Sequence, residues 1–259
     1  MPEKTYWIDT HCHMNDEIYR DTLDEYMQRS LSCNVRRNLV IAMNREDLEY
    51  TFEMKEKYPF IDIAFCYHPE DADKITPEDL DYMEEIINDP RIIAIGEIGL
   101  DYYWDKTYKQ QQKELFIRQI EMANKVNKPV LIHSRSAAQD TYDILRQYAR
   151  VKVLMHCFGE SHEMMQEYLK LGYYIAFGGV VTFKNARIPK ENVCSVPLDR
   201  LMLETDCPYM TPVPFRGKTN ETAYVRYVGE FVCRERGIAE EVLQQQLMDN
   251  YERFFDAEN

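Results

Sequence analysis

At 259 residues the chain is near the ~250 typical of one α/β barrel and long enough to bury a sizeable core. A composition of 45% hydrophobic and 29% charged residues excludes a disordered chain, and no apolar run approaches the ~18 residues of a membrane span. A net charge of −14 excludes a nucleic-acid coat that binds through a broad basic surface, but leaves room for an enzyme that grips a few phosphates with metal ions and local cations.

The opening Met-Pro-Glu-Lys-Thr-Tyr-Trp-Ile-Asp lacks the basic and apolar regions of a signal peptide. The seven cysteines are an odd number without a Cys-x-x-Cys pair, which suits a reducing compartment. Both point to a cytoplasmic protein with no membrane association and no evident obligate protein partner. No linker or repeat divides residues 1–259, which read as a single domain.

In chain order, β-like runs fall at 6–13, 38–43, 61–67, 92–99, 130–134, 151–157, 173–177 and 201–205. Helical spacing falls between them, at 50–57, 77–87, 109–126 and 137–148, with a last helix at 239–255. Thr76 before Pro77 and Asp79 reads as a helix start, and Pro189 should shorten any helix after Lys184. Eight strands alternating with helices predict a single (β/α)8 TIM-type barrel. The competing open sheet would carry a Gly-rich phosphate loop after the first strand, where this chain has His-Cys-His.

Strand side chains alternate between faces, so each strand can be sorted by parity. The interior sets are then Asp9, His11 and His13; Glu97; His133 and Arg135; His156; and Glu204 with Asp206. A barrel builds its site at the C-terminal ends of its strands, so His11, His13, Glu97, His133, His156 and Asp206 should meet at one mouth. Imidazoles and carboxylates suit divalent ions such as Zn, Mn or Mg, and six ligands exceed the need of one tetrahedral ion. Two ions sharing a carboxylate is the economical arrangement. A lone His-x-His is weak evidence, but five of six histidines, counting His68, ending strands on one face is not a chance scatter. Cys12, Cys157 and Cys207 adjoin these residues, yet parity turns them toward the helices, as small buried core residues.

On the motifs Asp9-Thr-His-Cys-His13, Gly96-Glu-Ile-Gly-Leu-Asp101, Ile132-His-Ser-Arg135, His156-Cys-Phe158 and Leu203-Glu-Thr-Asp-Cys-Pro-Tyr209, the chain resembles the TatD family of metal-dependent deoxyribonucleases, within the amidohydrolase superfamily. The likeness runs from Ile8 to about Val225, and Thr182-Phe-Lys-Asn-Ala186 and Thr211-Pro-Val-Pro-Phe-Arg-Gly-Lys218 extend it. It implies that Glu97 bridges two metals, that His11, His13 and Asp206 complete one site and His133 and His156 the other, and that His68 contacts the substrate phosphate. It implies hydrolysis of DNA, exonuclease-like in the 3′-to-5′ direction, on single strands or ends. The sequence itself leaves exonuclease against endonuclease action open. Ser136 stands where the family usually has an acidic residue, Gly159-Glu160 where it has Ser-Gly, and Thr219 where Arg is common. These lie outside the ligand set and bear on substrate range.

In this reading Asp206 orients the attacking water and accepts its proton. Arg135 and Arg216 fork onto phosphate oxygens, whereas Lys184 and Lys218 are better read as solvated. Glu204 either orients a ligand from behind or pairs with a cation inside the barrel, and Tyr102, Tyr103 and Trp104 either stack bases or pack their loop. The rival functions are a small-molecule hydrolase (lactonase, phosphotriesterase or amidase) on the same scaffold, and a non-catalytic metal-binding protein. The first often carries a bridging lysine on strand four, where this chain has Glu97; the second fits poorly with retention of Asp206.

Overall fold

Each strand of the computed structural model, which describes residues 5–104 and 106–255, pairs in parallel with the next in sequence. The strands are β1 (Trp7–Cys12), β2 (Val35–Ala42), β3 (Ile61–Phe65), β4 (Ile92–Asp101), β5 (Val130–Arg135), β6 (Val153–Met155), β7 (Tyr174–Phe177) and β8 (Leu201–Leu203). Around them lie α1 (Leu23–Ser32), α2 (Arg45–Lys57), α3 (Pro77–Ile86), α4 (Lys109–Val126), α5 (Ala138–Tyr148), α6 (His162–Lys170), α7 (Arg187–Ser195), α8 (Val225–Arg236) and α9 (Glu240–Phe255). This is the expected (β/α)8 barrel. Every residue of β1, β3, β6, β7 and β8 is buried, as parallel strands covered on both faces must be.

The seam between β8 and β1 is bridged by individual bonds. Thr10 Oγ1 donates to Leu203 O (3.0 Å), Asp206 N to His11 O (2.9 Å) and His13 N to Cys207 O (2.9 Å). The Asp9 carboxylate adds two more, accepting from Thr205 N (2.9 Å) and Thr205 Oγ1 (2.6 Å). The barrel therefore closes at the level where its candidate ligands stand.

Several boundaries differ from the sequence reading for local reasons. α2 begins at Arg45 rather than 50, because the Asn44 side chain accepts from Asp47 N (2.9 Å) and caps it. β2 begins at Val35, and Arg37 in that added stretch reaches Asp62 at 2.9 Å. Pro189 lies in the first turn of α7, where its missing N–H leaves no bond unmade, so it helps to start the helix rather than cutting it short. Thr76 and Asp79 form the capping box at the start of α3. Among the described residues, no helix is long and apolar enough to cross a membrane.

Candidate metal centre

Glu97 stands at the middle of the mouth, 4% exposed, with its two oxygens facing different groups. Oε2 lies 3.1 Å from His11 Nε2 and 3.7 Å from His13 Nε2. Oε1 lies 2.6 Å from His133 Nδ1, 3.2 Å from His156 Nε2 and 3.6 Å from His68 Nε2. Asp206 Oδ1 joins the first side, 3.4 Å from His13 Nε2 and 3.9 Å from His11 Nε2. All six expected ligands therefore meet, with His68 beside them. The grouping is less tidy than the resemblance implied: His11, His13 and Asp206 form one cluster, but His156 groups with His11 and Glu97, while His68 joins Glu97 and His133.

Simple alternation accounts for only part of this. His133 lies within β5, whereas His11 sits where β1 shifts register against β2, between Asp9 and Cys12, and His13 follows the end of β1. Glu97 sits where β4 shifts register against β5, between Ile95 and Ile98. Glycines at 96 and 99 make that approach possible: a Cβ on Gly96 would fall 2.5 Å from Leu131 Cβ, and one on Gly99 2.0 Å from the carbonyl oxygen of His133. β6 stops at Met155 and β8 at Leu203, so His156, Glu204 and Asp206 are delivered by the turns beyond, with Asp206 at φ 53°. The expectation that His13, His156 and Glu204 lie in strands is corrected; Asp206 was expected just past its strand and stands three residues past it.

Burial pushes the Glu97 carboxyl up, but His156, His11 and His133 around it more than offset this and hold it well below the usual carboxylate range. Burial likewise works against Asp206, which the His13 hydrogen bond and the His156 and His11 charges bring below its ordinary value. Burial disfavours the charged form of His133, yet its bonds to Asp101 and Glu97 raise it to about 9. His11, fully buried beside His156, is lowered.

The donor set fits divalent ions of the zinc and manganese kind. Nδ1 of His11 and of His13 are buried without a hydrogen-bond partner, while their Nε2 atoms crowd against carboxylate oxygens. The fit rests on the Nε2 side: two imidazole nitrogens and the oxygens of two carboxylates converge there within 3.1–3.9 Å, a donor set that a divalent cation would take up.

The surrounding residues sort the remaining expectations. Glu204 accepts from Cys157 N (2.7 Å) and lies 3.1 Å from His156 Nδ1, close though not aligned as a hydrogen bond. No lysine or arginine pairs with it among the described residues, which favours the orienting role over the buried ion pair. His68 Nδ1 accepts from Glu70 N at 3.3 Å, so in the neutral ring Nε2 carries the hydrogen and acts as a donor. That suits a phosphate contact better than metal ligation. Arg135 is exposed at the rim, its guanidinium 4.1 Å from the Tyr103 ring and 5.1 Å from that of Trp104. Arg216 is engaged within its loop, donating to Thr211 O (3.0 Å) and stacked 3.9 Å from Phe183. Tyr102 offers no free face: it is buried, bonded to Asp140 Oδ2 (2.8 Å) and covered by Lys109.

All seven cysteines are free. Cys12 donates to Leu39 O, and burial pushes its thiol and that of Cys157 well up, which disfavours thiolate ligation. Cys157 nevertheless lies in a three-residue cluster with His156 and Glu204, closer to the centre than parity suggested.

Sequence reasoning missed Asp101. Its Oδ2 lies 2.9 Å from His133 Nε2, the ring nitrogen opposite the one that faces Glu97. The signal was present, since 97, 99 and 101 share a parity, but ending β4 at residue 99 hid it. A separate surface cleft of about 910 Å³, lined by Trp7, Asn34, Glu240 and Gln244 among others, contains none of these side chains.

Comparison with known proteins identifies the family. The TatD related DNase family matches residues 8–256. The uncharacterized metal-dependent hydrolase YabD of Bacillus subtilis (strain 168) is 44% identical over 250 residues, covering 96% of this chain and 98% of its own. The uncharacterized metal-dependent hydrolase YcfH of Escherichia coli (strain K12) is 34% identical over 256 residues, 96% of each chain. The crystal structure of YJJV, a TatD homolog from Escherichia coli K12, superposes with a TM-score of 0.91 at 26% identity, covering 97% of this chain and 98% of that one. The chain belongs to the TatD related DNase family and is a metal-dependent hydrolase of the TatD type.

Proposed function

We propose that the protein hydrolyses phosphodiester bonds of DNA with two divalent cations, which Glu97 would share with the surrounding histidines and Asp206. The observation that carries this is the division of the Glu97 carboxylate, one oxygen toward His11 and His13 and the other toward His133 and His156. His11, His13 and Asp206 would hold one cation, and His133 and His156 the other. When bound, divalent ions in such a site lower the pKa of water toward neutrality and neutralise charge on phosphate oxygens.

The protein's own groups supply the rest. Asp206 is the more open of the two central carboxylates, with 12% of its side chain exposed against 6% for Glu97, so water can reach it. It orients that water and takes its proton, while Glu97 stays ionised as the shared ligand. His68 Nε2 donates toward a phosphate oxygen, and Arg135 offers a guanidinium at the rim. Burial of Glu97 and the histidines around it strengthens their contacts by excluding bulk solvent, whereas Arg135 acts from the exposed rim. The family's DNase description supports DNA as substrate, and free cysteines support a reducing, cytoplasmic setting.

The test is digestion of end-labelled single-stranded DNA with Mg²⁺, Mn²⁺ or Zn²⁺, beside lactones and small phosphoesters, with Glu97→Ala as control. Metal-dependent shortening of the label, lost in Glu97→Ala, is expected. Turnover of a lactone with intact DNA would replace this reading with that of a small-molecule hydrolase. Inertness of the metal-loaded protein toward the whole panel would leave a non-catalytic binder.

A further inference from the structure

Among the described residues, seven large hydrophobic side chains are exposed, and five of them stand in the segments that follow strands: Ile18 in a short 3-10 helix after β1, Tyr103 and Trp104 after β4, and Tyr209 and Val213 after β8. The mouth of an acidic protein is thus rimmed with apolar surface. The most open is Trp104 at 65%, while the chain's other tryptophan, Trp7, is 1% exposed in the core. Leaving an indole in water gains nothing for the fold, so what it meets matters.

The two β4 loop aromatics are held rather than loose. Their rings stand edge to face, centroids 4.9 Å apart at 85°. The Arg135 guanidinium lies against both, and among the described residues no carboxylate pairs with it. Asp101 fixes the loop: its Oδ1 accepts from Tyr103 N (2.8 Å) and Trp104 N (3.3 Å), while its Oδ2 faces His133 Nε2. Asp101 and Arg135 are also ladder partners across β4 and β5. One carboxylate thereby ties an aromatic platform to a histidine of the metal centre.

We propose that Tyr103 and Trp104, backed by Arg135, form a nucleobase-stacking subsite that receives an unpaired base beside the scissile phosphate. The inference rests on the phosphodiesterase reading and adds to it the part of the substrate that is recognised. A flat π-face suits the exposed indole whatever the base, and the Arg135 guanidinium, exposed at the rim, suits the phosphate that follows it. A phosphodiester without rings would find no use for this platform, and a base inside a duplex would have both faces already covered. Such a platform accounts for the single strands or ends that the family resemblance implies.

The experiment uses the intact protein with oligothymidylate and a matched strand carrying an abasic tetrahydrofuran residue next to the scissile phosphate. Because Trp7 is buried, quenching of tryptophan emission reports Trp104 independently of turnover. Oligothymidylate should quench it and an all-abasic strand should not. In hydrolysis, Trp104→Ala should raise KM for oligothymidylate roughly 5- to 150-fold, the range of one base–aromatic stack. Removing the base and removing the indole should be strongly non-additive, and Trp104→Phe should recover most of the loss. Additive effects, equal cleavage of the two strands, or no quenching by oligothymidylate would overturn the subsite while leaving DNA hydrolysis standing. If DNA is not hydrolysed at all, the functional reading falls, and selective quenching by base-bearing strands still decides the subsite.

Discussion

Asp206 combines two demands at one residue: a left-handed backbone at φ 53° and a carboxylate turned toward His13 and His11. Aspartate and asparagine are the side chains that tolerate that backbone best, so Asp206→Asn removes charge while preserving shape. We expect its melting temperature to stay near that of the wild type while turnover falls at least about 100-fold, the usual worth of a positioned general base. Unchanged nuclease rates in Asp206→Asn would remove its assigned role. The histidines give a second outcome. His133 is raised to about 9 by Asp101 and Glu97 despite burial, so without a cation it holds a proton at neutral pH that ligation must expel. Cation binding should therefore tighten as pH rises from about 6.5 toward 9, with protons released, as calorimetry in buffers of different ionisation enthalpy would measure. The sign is opposite for the metal-free fold. A raised histidine contributes stability that is complete below 6.5 and lost as pH climbs through about 9.

The eight-strand alternation was legible in the spacing of apolar runs, and parity placed His133 within its strand, but it reached His11 across a register shift in β1 and His13 just past that strand's end. It reached Glu97, His156 and Asp206 for an incomplete reason. Parity assumes uninterrupted pleating, whereas β4 shifts register at Glu97 and both β6 and β8 end before the residues they were thought to carry. Asp101 escaped because the length of β4 depends on pairing with Arg135, a contact that no local propensity encodes. The same element offers a test. A methyl group at Gly99 would sit 2.0 Å from the His133 carbonyl oxygen, so β5 must move to admit it. Gly99→Ala should cost roughly 1–3 kcal/mol by denaturant unfolding and weaken cation binding as His133 shifts. A Gly99→Ala protein with wild-type stability and cation affinity would show that β4 and β5 yield more easily than this packing suggests.

On the scale of the whole molecule, a charge of −14 means that little of the surface attracts a polyanion, and the cationic grip is confined to the mouth. The logarithm of KM for single-stranded DNA should then vary with the logarithm of salt concentration by a slope no steeper than about 2, against about 5 or more for a basic groove spanning many phosphates. A steep slope would reveal a binding surface elsewhere on the protein. The seam between β8 and β1 has a separate consequence. Asp9 and Thr205 fasten it, and Asp206 sits on its late side while His11 and His13 sit on its early side. A polypeptide still emerging from the ribosome, or one clipped before β8, carries the imidazoles but not the aspartate that completes their cluster. The His11, His13 and Asp206 cluster is therefore complete only when the ring is sealed.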